Sequence, residues 1–130
     1  MNLLLQLLRG SRPVVISAAL LILSQPVMAQ TFFQAIEDLP LAPGLTEAAD
    51  GGISFDSPRG RIVTIVAFGT GDSATYSRFY EKALPALGWK RRLKNNYRRD
   101  DEAMSLEFKR RGSRTEVRIR VVPAGSEKAR

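Results

Sequence analysis

Tyr76, Phe79, Tyr80, Ala83, Leu84 and Leu87 recur at steps of three and four, the spacing that lines up one face of an α-helix. This is the strongest periodic signal in the chain; the residues after it alternate apolar and polar side chains as strands do. A helix and a half-wet sheet each have one apolar face to hide, so one helix on one antiparallel sheet is the economical packing. The expected fold is therefore α+β, with an antiparallel sheet of five to six strands and one helix packed on one face, in the order ββαβββ.

The helix ends are marked by their neighbours. Asp72 or Ser73 is suited to cap the N-terminus. Pro85 lacks an N–H and crowds the carbonyl four residues back, so the last turn should bend or stop early, and Gly88 stands where a left-handed C-terminal cap is wanted. Upstream, residues 53–56 read as a short strand, Ser57-Pro58-Arg59-Gly60 as a β-turn, and residues 61–68 as a β-branched strand apolar on both faces and hence central. Downstream, residues 89–93 and 97–99 are short strands. Met104, Leu106 and Phe108 alternate with Ser105, Glu107 and Lys109, and residues 115–122 place Val117, Ile119 and Val121 inward with Glu116, Arg118 and Arg120 outward.

The chain opens with Arg9 and Arg12, the apolar run of residues 14–23, and Val27-Met28-Ala29, which together read as a signal peptide over residues 1–29. A spanning helix needs roughly 20 consecutive apolar residues, and Gly10-Ser11-Arg12-Pro13 interrupts the run. The expected location is the periplasm. Residues 30–52, rich in Pro, Gly and Ala, read as an extended N-terminal arm; residues 53–123 form the α+β domain and 124–130 a flexible tail. With no cysteine there is neither a disulfide nor a site for a lipid anchor at the new N-terminus, so the domain must stand on its own core. About 100 residues bury roughly 60–70% of the unfolded surface, enough for one domain.

Charge is unevenly placed. Residues 73–130 hold sixteen Lys and Arg against seven Asp and Glu, whereas residues 30–72 hold two against six. A basic C-terminal half attracts anionic partners in a salt-dependent way. Arg118 and Arg120 share a strand face, Lys109 is expected across from them, and Arg91 completes the candidate binding set. The partner read from this is an anionic envelope component. The alternative is a periplasmic or membrane protein complex contacted through Phe32, Phe33, Leu39 and Leu41 of the arm.

Catalytic constellations are sparse. Histidine is absent along with cysteine, which removes Ser-His-Asp and Cys-His catalysis and the usual zinc ligand sets. Gly69-Thr70-Gly71-Asp72-Ser73-Ala74 has the spacing of a dinucleotide-binding turn, but Asp72 puts negative charge where a pyrophosphate would sit. Asp100-Asp101-Glu102 reads as a solvated hairpin tip, and nothing makes Asp56 and Glu81 converge as a glycosidase pair. The expectation is no enzyme, no cofactor and no metal. Trp89 and Tyr97 lie among the cations, as in single-strand nucleic-acid binders, yet an exported protein rarely meets nucleic acid, and Trp89 is better placed as a core residue over the helix end.

Arg78-Phe79-Tyr80 through Leu84-Pro85-Ala86-Leu87-Gly88-Trp89, followed by a basic meander ending at residues 117–122, resembles small uncharacterised periplasmic proteins of alphaproteobacteria. The same stretch is similar to the helix-then-sheet units of some outer-membrane assembly lipoproteins, although the lipobox cysteine is missing. The resemblance covers roughly residues 38–122 and implies a fold and an envelope location. Its motif is structural and brings no functional residues.

Overall fold

The structure, a computed structural model, describes Pro26 and residues 29–50 and 52–126. The expected signal peptide lies outside the described residues apart from Pro26 and Ala29, as does the tail beyond Ser126. Among the described residues the elements run β1 (Leu45–Glu47), β2 (Ile53–Ser57), β3 (Gly60–Gly69), α1 (Ser73–Ala86), β4 (Lys90–Leu93), β5 (Asn96–Arg99), β6 (Glu102–Arg111) and β7 (Arg114–Pro123). All strand pairings are antiparallel, in the order β1-β3-β7-β6-β5-β4, with β2 sharing the outer edge of β3 with β1. No described helix is long and apolar enough to cross a membrane.

The α+β expectation holds, but the sheet has seven strands rather than five to six, and the order is βββαββββ rather than ββαβββ. The extra strand arises from the length of β3. The β2 hairpin pairs only its first half, Gly60 to Thr64, and Leu45–Glu47 pairs with Ala67 to Gly69 at the other end.

Helix α1 is capped by Asp72, whose Oδ1 accepts from the Thr75 N–H at 2.7 Å; this bond holds the carboxyl below its ordinary pKa. At the other end Gly88, at φ +86°, allows Trp89 N–H to reach Leu84 O and Gly88 N–H to reach Pro85 O. That pair of bonds is a Schellman motif, and it satisfies carbonyls that the helix end would otherwise orphan. Arg99 supports the same end, donating to Leu87 O at 3.1 Å while its guanidinium lies 4.4 Å from the Trp89 ring.

One face of the sheet is dry. Val63, Ile65 and Ala67 of β3, Met104 and Leu106 of β6, and Val117, Ile119 and Val121 of β7 meet Tyr76, Tyr80 and Leu84 of the helix. The arm fills the rest of this layer. Instead of running extended, it turns back on itself: Phe32 bridges Pro40, Phe33 N–H donates to Leu39 O, and Leu41 N–H donates to Thr31 O. Phe33, Ile36, Leu39, Ala42 and Leu45 enter the core through this loop. Tyr80 secures it, because its hydroxyl donates to Pro40 O at 3.0 Å and accepts from Ala42 N–H at 3.2 Å.

Burial pushes the Tyr80 phenol well above its ordinary pKa of 10.0. The unfolded chain therefore loses this proton first, at a pH where the folded chain keeps it. The contribution of Tyr80 to stability should be level below about pH 10 and fall above it, by up to about 1.4 kcal/mol per pH unit. Denaturant midpoints between pH 8 and 11 check this, and Tyr80→Phe should flatten the alkaline slope while lowering stability at pH 8.

Candidate functional site

The other face of the sheet is covered by no described element. Register places its rows. Phe55 pairs with Ile62, and Val122, Ala103, Arg98 and Lys90 form a row beyond the end of the β3–β7 pairing, while Ile53, Thr64, Arg120, Ser105, Asn96 and Leu93 form the next, unbroken row. Val66, Arg118 and Glu107 follow, then Thr46, Phe68, Glu116 and Lys109. The open face thus divides along its strands. Its β2 and β3 columns are mostly apolar, whereas the cations of these rows, Lys90, Arg98, Lys109, Arg118 and Arg120, all stand in its β7, β6, β5 and β4 columns among small, polar and acidic residues.

An open groove of about 400 Å³ lies on the cationic side, lined by Asn96, Ser105, Glu107, Lys109, Arg118 and Arg120. Three of the four residues in the candidate binding set therefore come together. Their outward direction follows from the two-residue period of β6 and β7, whose odd partners in β7 are locked into the core. Arg91 does not join them. It pairs with Tyr97, whose ring is buried on the helix side, and its Nη2 lies 4.0 Å from Glu81 Oε1. The irregularity between Arg91 and Leu93 changes the parity of β4, which returns Leu93 to the open face.

The groove is not purely basic. Glu116, 8% exposed, accepts from Arg111 Nε at 3.1 Å and from Arg118 Nη2 at 3.2 Å, and Glu107 lies 3.6 Å from Lys109 Nζ. These two carboxylates hold three cations, Lys109, Arg111 and Arg118, in place while offsetting part of their charge. Arg120, across from Ser105, makes no ion pair with a described residue. The face still carries Lys90, Arg98, Lys109, Arg111, Arg114, Arg118 and Arg120 against Glu107 and Glu116. Guanidinium forks beside a hydroxyl and an amide suit phosphate, sulfate or carboxylate groups.

No family model, curated protein or solved structure matches this chain.

The remaining constellations are accounted for by local structure. Gly69 and Gly71 leave room for Tyr76, whose hydroxyl accepts from Gly71 N–H at 2.9 Å, so a side chain occupies the glycine turn. In the acidic cluster, Asp100 and Asp101 make the β5–β6 turn while Glu102 forms a bidentate pair with Arg61 at 2.6 and 3.2 Å. Asp56 and Glu81 stand apart, the first on β2 at one sheet edge and the second against Arg91 of β4 at the other.

The arm residues also divide. Phe33 and Leu39 are 2% and 0% exposed and belong to the domain's own core, so they present no surface to a partner. Leu41 packs half-buried against that core and Phe32 is exposed. Sequence reasoning missed Ile53, Phe55 and Leu93 as exposed apolar residues. The available signal was the β3 run itself, apolar on both faces although only one face has a helix to meet.

Proposed function

We propose that this chain is an exported, non-enzymatic binding domain that docks on an anionic component of the cell envelope through the open face of its sheet. The observation that supports this reading is the convergence of Lys109, Arg118 and Arg120 around one groove on a face that no described element covers. Like charges held side by side are unfavourable unless an anion meets them. The envelope location rests on the leader sequence and the basic C-terminal half.

Affinity for a soluble polyanion, dextran sulfate, measured at low and high ionic strength tests the face. Each Lys or Arg at an anionic surface contributes about 1 kcal/mol. Arg118→Gln with Arg120→Gln should therefore weaken binding about 30-fold, and high salt should weaken the wild type similarly. Arg78→Gln with Lys82→Gln, on the helix, should leave binding close to wild type. Salt-independent binding, or equal losses from the two pairs, would remove the open face as the docking surface.

A further inference from the structure

Among the described residues the exposed large apolar side chains are Phe32, Ile53, Phe55 and Leu93, at 45%, 63%, 53% and 72% exposure. Three of these four stand on the open face. Ile53 and Leu93 end the same cross-strand row, at opposite edges of the sheet, with Arg120 between them. Phe55 lies one row away, against Ile62. At about 4.8 Å per strand the row spans about 24 Å.

We infer that this face seats on the surface of an anionic phospholipid bilayer, with Ile53, Phe55 and Leu93 entering the headgroup and acyl boundary while the cations between them bind lipid phosphates. The inference rests on the anionic docking reading above and adds its occupant. A soluble polyanion is matched by the cations alone and leaves the apolar side chains in water. A bilayer presents both chemistries at different depths, a charged layer and an apolar layer directly beneath it. Scattered exposed hydrophobics need no explanation, but three of the large ones on the one uncovered face, at the two edges of a sheet whose cations lie between and beside them, mark an interaction surface. The position of Ile53 and Phe55 on the short edge strand β2 lets them reach beyond the sheet plane without loss of core packing.

Co-sedimentation with vesicles of phosphatidylcholine, with and without phosphatidylglycerol, tests this on the full chain. All comparisons are between variants of that chain, so any contribution of residues 1–29 is common to every arm. The wild type should prefer the phosphatidylglycerol vesicles. Ile53→Ser with Phe55→Ser should weaken that binding by about 30-fold, as expected for two partly buried side chains, while leaving dextran sulfate binding unchanged. Phe55→Trp should shift its emission to the blue only with the anionic vesicles, since the native Trp89 is already buried. Dextran sulfate binding without vesicle binding, or vesicle binding indifferent to the serine pair, would overturn the bilayer inference and leave the anionic docking reading standing. Failure to bind either probe would overturn both.

Discussion

A chain lacking residues 30–45 should not fold. The loop they form supplies Phe33, Ile36, Leu39, Ala42 and Leu45 to the core, and residue 45 begins the strand that pairs with the end of β3. Burying a large aliphatic or aromatic side chain contributes about 1.5–3 kcal/mol, so the four large ones together contribute about 6–12 kcal/mol. A domain of this size has about 5–15 kcal/mol in total. The truncation also strands the Tyr80 hydroxyl, whose two partners are Pro40 O and Ala42 N–H, inside an apolar layer. Circular dichroism and thermal melting of the truncated chain should show no cooperative transition. A melt near that of the full chain would mean that residues 30–45 lie outside the folding unit, and would return Phe33 and Leu39 to the surface as partner contacts.

The path of this arm was not legible in the sequence, whereas the elements beside it were. The helix announced itself because Tyr76, Tyr80 and Leu84 all face the sheet, and Asp72 and Gly88 bracket it as caps. The outward direction of Arg118 and Arg120 followed from the period of a ten-residue strand with valine and isoleucine between them. By contrast, residues 32–45 have irregular apolar spacing, because their positions are set by Tyr80 some 40 residues away and not by a local period. A three-residue strand such as Leu45–Glu47 is too short to alternate. Arg91 shows a different limit. In Lys90-Arg91-Arg92 every position looks alike, and a single irregularity between Arg91 and Leu93 decides which residues share the face of Arg120. The apolar edge of the open face was half legible: residues 62–66 are apolar in both directions, which requires a cover on two sides, but only the structure shows that the described elements cover one.

Gly69→Ala should be among the most damaging single changes in the domain, although it adds one methyl group. Gly69 closes β3, pairs with Leu45 of β1 and lies against the first turn of the helix. A Cβ there would fall inside the Tyr76 hydroxyl, 2.8 Å from its Cζ and 2.7 Å from the Gly44 carbonyl oxygen. None of these can move freely. Tyr76 is 1% exposed and tied to Gly71 N–H, and the Gly44 carbonyl is backbone at the entry to β1. Overpacking of this kind costs about 1–3 kcal/mol where side chains yield, and more where backbone must shift. We expect a loss of about 3 kcal/mol, read as a fall in melting temperature of at least about 10 °C. Gly112→Ala is the comparison. Nothing lies within 4 Å of a Cβ there, and its φ of +63° carries only the left-handed penalty of about 1–2 kcal/mol. Adding Tyr76→Phe to Gly69→Ala removes the hydroxyl and should recover part of the loss, with a favourable coupling in the double-mutant cycle. Recovery should be incomplete, because the ring carbon and the Gly44 carbonyl remain in place. If Gly69→Ala proves no worse than Gly112→Ala, the glycine serves something other than Tyr76, and the Gly69-Thr70-Gly71 turn again becomes open to a ligand.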